Sequence, residues 1–123
     1  MLSVGGKRAY LACGKTDMRK SINGLSALVE QSFNLDPFEG ALFVFCNRNR
    51  DRIKILEWDG DGFWLYFKRL EKGRFRWPNL DATDGATSEP TMDLTGEELQ
   101  ILLGGARVEQ KLKRKAVTER KTA

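Results

Sequence analysis

The sequence predicts an α+β domain: a mostly antiparallel sheet of four or five strands in a meander, one long N-terminal helix packed on it, and a short C-terminal helix. Three observations predict it. Residues 41–78, ALFVFCNRNRDRIKILEWDGDGFWLYFKRLEKGRFRWP, read as consecutive apolar strands joined by tight connections. Met18, Ile22, Leu25, Leu28, Val29 and Phe33 recur at three- and four-residue steps, the period of one helix face. Thr95-Gly96-Glu97-Glu98 is a capping box, in which the Thr95 hydroxyl accepts from the Glu98 amide and Glu98 reaches back to the Thr95 amide.

Taken in order, residues 7–13, KRAYLAC, form a short strand that Gly14 ends. Thr16 or Asp17 caps the helix that follows, which runs to about Phe33. Gly24 costs that helix about 1 kcal/mol relative to Ala, and close packing of helix on sheet accounts for it. Pro37 forces Asp36 toward an extended backbone, so NLDPFEG is a loop. Strands follow at 41–46, 52–58 and 63–70, with a fourth, short one at 74–77 stopped by Pro78. Asp59-Gly60 is a hairpin signal, because both tolerate the positive φ of a tight turn. Residues 79–90 are a polar, acidic loop, Thr91–Leu94 a short strand, and Leu99, Ile101, Leu102 and Leu103 the apolar side of the last helix.

Side-chain alternation sorts the strands into two faces. A hairpin pairing Trp58 with Asp61 or with Phe63 leaves the same parity, so Leu56, Trp58, Phe63, Leu65 and Phe67 share one face. Ile53, Ile55, Trp64, Tyr66 and Lys68 share the other. A five-residue turn from Asn47 to Asp51 adds Leu42, Val44 and Cys46 to the first face and Phe43 and Phe45 to the second. Both faces are apolar, and one helix covers only one of them. The other needs the C-terminal helix, a partner, or a second copy of the chain.

At 123 residues the chain is expected to be one domain over 1–106, followed by a basic, disordered tail over 107–123. No apolar run is long enough for a transmembrane helix or a signal peptide, which makes the cytoplasm the expected compartment. Cys13 and Cys46 read as lone thiols rather than a disulfide or a metal pair. There is no histidine, which removes the commonest general base and the commonest metal ligand. Charge is segregated. The tail holds seven Lys or Arg against Glu109 and Glu119, residues 47–77 hold nine basic and five acidic groups, and residues 81–98 hold six acidic groups and no basic one.

Several strings together resemble one family. They are Tyr10-Leu-Ala-Cys-Gly14, Thr16-Asp-Met-Arg-Lys20, Asp36-Pro-Phe38, Gly40-Ala-Leu-Phe-Val-Phe45, Asp51-Arg-Ile-Lys54, Trp58-Asp-Gly60, Lys68-Arg-Leu-Glu71 and Gly73-Arg-Phe-Arg-Trp-Pro78. The chain resembles, over roughly residues 7–105, the small accessory protein encoded by the second open reading frame of insertion-sequence family sixty-six, also called TnpB and unrelated to the RNA-guided nuclease of that name. The resemblance implies a bacterial mobile element, a separate transposase as partner, and no catalytic residues in this chain. Two departures stand out: Asn49-Arg50 where the family often has Arg-Gly, and Ala106-Arg107-Val108 where it usually continues Ile-Asp-Trp.

No catalytic, metal or cofactor site is expected. Asp59 and Asp61 are close, with Asp51 and Glu57 flanking them, but Asp59 sits in a turn that favours Asp for backbone reasons. Gly5-Gly6-Lys7 lacks the spacing of a phosphate-binding loop. Nucleic-acid binding has more support. Arg48, Arg50, Arg52 and Lys54 cluster at one turn, and Lys68, Arg69, Lys72, Arg74 and Arg76 at the next. An antiparallel meander brings the two groups to one edge, where cations can neutralise phosphates. Arg19 and Lys20 could extend the patch. Trp64, Tyr66 and Trp77 are candidates for base stacking or for the centre of a protein interface. The expected function is that of a non-catalytic transposition factor that binds the transposase, the element's DNA, or both, with a homo-oligomer as a further option. The alternative is a small nucleic-acid-binding regulator with no transposase partner.

Overall fold

A computed structural model of the protein describes residue 2, residues 4–78 and residues 90–104. The expected tail over 107–123, and all but the last residue of the expected loop over 79–90, lie outside the described residues. The described chain is α+β: β1 (Arg8–Ala12), α1 (Ile22–Ala27) continuing as a π-helical turn (Leu28–Ser32), β2 (Leu42–Cys46), β3 (Arg52–Trp58), β4 (Phe63–Arg69), β5 (Thr91–Thr95) and α2 (Gly96–Leu103). The strands form one sheet in the order β4-β3-β2-β1-β5.

The sheet is mixed, which corrects the mostly antiparallel expectation. The meander β2-β3-β4 is present, but β1 runs parallel to β2, with Tyr10 opposite Phe43. The cause is the connection: a helix carries the chain across the sheet from β1 back to the start of β2, and such a crossover returns the strand parallel. β5 then pairs antiparallel along all of β1, from Arg8 opposite Thr95 to Ala12 opposite Thr91.

The first helix is shorter than its apolar period suggests. Asp17 does not cap it. The Asp17 carboxylate instead accepts from the Arg19 amide at 2.9 Å and from the Arg19 guanidinium, closing a local turn that competes with helix. Helix starts at Ile22, with Ser21 at the cap position making no side-chain bond. Its last turn widens to the π form, the Phe33 amide reaching Leu28 at 3.2 Å. Asn34, at φ 58°, ends it in the left-handed conformation that Asn tolerates. Gly24 is not a packing contact with the sheet either, since a Cβ there would meet only the Lys20 side chain.

One further strand is absent. Residues 74–77 form no regular element and do not join the sheet, and are held by the Phe75 amide on the Arg50 carbonyl at 2.7 Å and the Trp77 indole N–H on the Ala12 carbonyl at 2.9 Å.

The face assignment holds for β3 and β4, where Trp58 pairs with Phe63, and fails for β2. Cys46 lies opposite Ile53 rather than Arg52, one residue off the register that a five-residue turn over 47–51 would set. That one-residue offset moves every β2 side chain to the opposite face. Phe43 and Phe45 therefore pack with Leu56, Leu25 and Val29 beneath α1. Leu42, Val44 and Cys46 pack with Ile53 and Ile55 on the second face, where Leu99 and Leu102 of α2, Phe75, Trp77 and Val4 cover them. The second apolar face is thus covered largely from within the chain. The capping box of α2 forms as expected, Glu98 donating to the Thr95 hydroxyl at 3.1 Å and accepting from the Thr95 amide at 2.9 Å. None of the described helices is long and apolar enough to cross a membrane.

Candidate nucleic-acid interface at the cationic end of the sheet

The β2–β3 connection is built on Asn47. Its side-chain oxygen accepts from the amides of Asp51 and Arg52, both at 3.0 Å, and its NH2 group donates to the Asp51 carboxylate at 2.8 Å. That bond, aided by the charges of Arg52 and Arg74, holds the Asp51 carboxyl below its ordinary range. The chain after β4 is then tied to this turn, with the Leu70 amide on the Asp51 carbonyl at 2.8 Å and the Phe75 amide on that of Arg50. The segment after β1 joins them through the Gly14 amide and the Pro78 carbonyl at 3.4 Å. Three loops distant in sequence thus form one surface at one end of the sheet.

That surface is cationic. Lys15, Arg48, Arg50, Lys72, Arg74 and Arg76 are all exposed on these loops. Lys15, Arg48 and Arg50, with Gly14, Asn47, Trp77 and Pro78, line a pocket of about 280 Å³. Arg50 also borders an adjoining groove with Arg74 and Arg76. The two nearby carboxylates are engaged: Asp51 with Asn47 and, at 3.3 Å, Arg52, and Glu71 with Arg69 at 2.9 Å.

The remaining candidates divide. Arg52 and Arg69 lie opposite one another on the α1 face, each beside its own carboxylate. Lys54 is committed elsewhere: its ammonium donates to the carbonyls of Met18 at 2.8 Å and Lys20 at 2.9 Å, fixing the turn before α1. Lys68 is on the opposite face, where it donates to the Leu103 carbonyl at 2.7 Å, at the negative end of α2. Arg19 is exposed and held by Asp17. Trp77 is 6% exposed and belongs to the core beneath the pocket, so its ring is not open for stacking. Trp64 is 52% exposed and stacks on Tyr66, centroids 6.1 Å apart, but sits toward the hairpin end of β4. The Trp64 indole donates to Asp59 at 2.6 Å, which turns that carboxylate to structural use. Among the described residues no three Cys, Asp or Glu side chains converge as metal ligands would.

Two features escaped the sequence reading. Lys15 joins the surface only because β1 lies beside β2, which nothing in its local sequence announces. Glu57 is 7% exposed and accepts from the Lys7 ammonium and from the Tyr66 hydroxyl at 2.9 Å. Its signal was present: it shares the apolar face of Ile53 and Ile55, and a carboxylate there requires partners. Burial and the Glu57 hydrogen bond push the Tyr66 phenol up to about 12.

The sequence has recognisable relatives. It matches the family described as IS66 Orf2 like protein over residues 7–113. The chain belongs to that family. This IS66 Orf2-like protein is 38% identical over 98 residues to a Sinorhizobium fredii protein named "Uncharacterized protein y4hO", covering 80% of this chain and 79% of that one. It is 37% identical over 100 residues to "Uncharacterized protein y4jC" of the same organism, covering 81% and 80%. No solved structure matches it. The family places the protein with insertion-sequence accessory proteins, in agreement with the motif resemblance.

Proposed function

We propose that this protein is a non-catalytic accessory factor of transposition, and that it contacts nucleic-acid phosphates through the cationic end of its sheet. One observation carries the reading: backbone hydrogen bonds fuse the β2–β3 turn to the segment after β4, gathering Arg48, Arg50, Arg74 and Arg76 around adjoining pockets with their nearest carboxylates already engaged. Cations held on bonded loops meet phosphates at little cost in ordering. In this reading the bond-breaking chemistry belongs to the element's transposase.

The test is titration of the element's terminal DNA, as duplex and as single strand, and of a random duplex, at two salt concentrations. Arg48→Ala with Arg74→Ala is expected to weaken binding to all of them and to lower the salt slope by about 2, roughly one for each phosphate no longer neutralised. Absence of binding at low salt, or a double variant that binds like the parent, removes this surface from the function.

A further inference from the structure

β4 is an edge strand, its outer side unpaired among the described residues. Edge strands that remain alone are generally short, charged or interrupted by proline. β4 is none of these over its first five residues: Phe63-Trp-Leu-Tyr-Phe67 is uncharged and exposes apolar side chains on both faces. Phe67 is 56% exposed on the α1 face and Trp64 52% exposed on the other. The opposite edge differs. β5 is shorter, carries Asp93 at its centre, and pairs that residue with Arg8.

The sequence around β4 is complementary to itself when reversed. Acidic Asp59 and Asp61 precede the apolar run, and basic Lys68 and Arg69 end it. Two copies related by a two-fold axis through Leu65 would pair antiparallel with Leu65 on Leu65, Phe63 on Phe67 and Trp64 on Tyr66. Each pair would lie on one face, as a continuous sheet requires. The same register sets Asp61 of each copy beside Arg69 of the other, so the aromatic run is closed at both ends by opposite charges. Shifting the register by two residues in either direction breaks this match: one shift sets Phe63 against Arg69, the other Asp61 against Phe67.

We propose that the β4 edge binds a second copy of this chain, joining two five-stranded sheets into one of ten strands through Asp61–Arg69 pairs at the ends of an aromatic ladder. The interface is distinct from the cationic pockets and does not depend on their binding nucleic acid.

Sedimentation velocity of the full chain over a wide concentration range tests it, with charge reversals as the probe. Both positions are exposed, so reversal should leave the fold intact, which circular dichroism checks. Asp61→Arg and Arg69→Asp each place like charges at both ends of the interface, and each is expected to weaken the dimer by about tenfold. The two together restore opposite charges and should restore the dimer. Within one chain these residues stand about 25 Å apart along the strand, so mutual rescue reports a contact between copies. A chain that stays monomeric at every concentration overturns the proposal, as does a dimer indifferent to both reversals. A monomer whose reversals instead abolish binding of another protein assigns the edge to that protein and also overturns it.

Discussion

Arg50 occupies a backbone conformation that suits glycine, with φ at 61°, while its side chain lines both cationic pockets. The left-handed conformation costs a non-glycine residue roughly 1–2 kcal/mol. Arg50→Gly should therefore leave stability unchanged or raise it by up to about 1 kcal/mol in urea unfolding, part of the relief being lost to the greater freedom of unfolded glycine. The same variant should weaken nucleic-acid binding in the titration. Lys54 predicts the reverse. Lys54→Met strands the carbonyls of Met18 and Lys20 and should cost about 1–3 kcal/mol by the same unfolding measurement, with nucleic-acid binding by the folded variant unchanged. A neighbouring pair of cations is thus separated by what each one touches. Tyr66 adds a pH dependence. Its folded phenol is raised from the ordinary 10.0 to about 12, so folding favours the neutral form. The resulting stabilisation is fully present below the unfolded value and is lost as pH rises from 10 toward 12. Melting curves across that window should fall more steeply for the parent than for Tyr66→Phe.

Two glycines at the level of helices have opposite roles. A Cβ on Gly96, the first residue of α2, would sit 2.1 Å from the Val4 carbonyl oxygen, a backbone atom that cannot swing aside. Gly96→Ala should destabilise by about 1–3 kcal/mol, by overpacking where α2 meets the N-terminal segment. Gly24→Ala meets only the flexible Lys20 side chain and should stabilise by about 0.5–1 kcal/mol. Thermal melts of the two variants should shift in opposite directions. Elements were legible in the sequence wherever a local signal was strong. The capping box and the three strands of the meander lie where local signals put them, and the hairpin falls at Asp59-Gly60, although it closes on four residues, 59–62, with positive φ at Gly60 and not at Asp59. The start of the first helix was not legible, because an apolar period says nothing about whether Asp17 caps a helix or closes a turn on Arg19. The facing of β2 was lost to a single residue of register, because Asn47 pairs across the turn with Arg52 where a five-residue turn would set Cys46 there.

For the whole molecule, the cationic end was legible as a cluster and illegible in membership. The two basic groups do meet, as antiparallel pairing requires. Yet Lys54 and Lys68 are drawn to carbonyls on opposite sides of the sheet, and Lys15 arrives through a parallel pairing that periodicity cannot specify. The strand order has a further consequence, in time rather than in space. β1 is made first, but its two neighbours are β2, reached only after a helix, and β5, which follows about eighty residues later. During synthesis β1 must wait, its apolar Tyr10 and Leu11 unpaired, while β3 and β4 close at once across a short turn. Contacts between distant segments form late because loop closure must come first. Pulse-labelled hydrogen exchange during refolding is accordingly expected to protect the amides of β3 and β4 before those of β1 and β5. The seam along β1 is where a nascent or stressed copy stays open longest, and where a chaperone or a protease would find it.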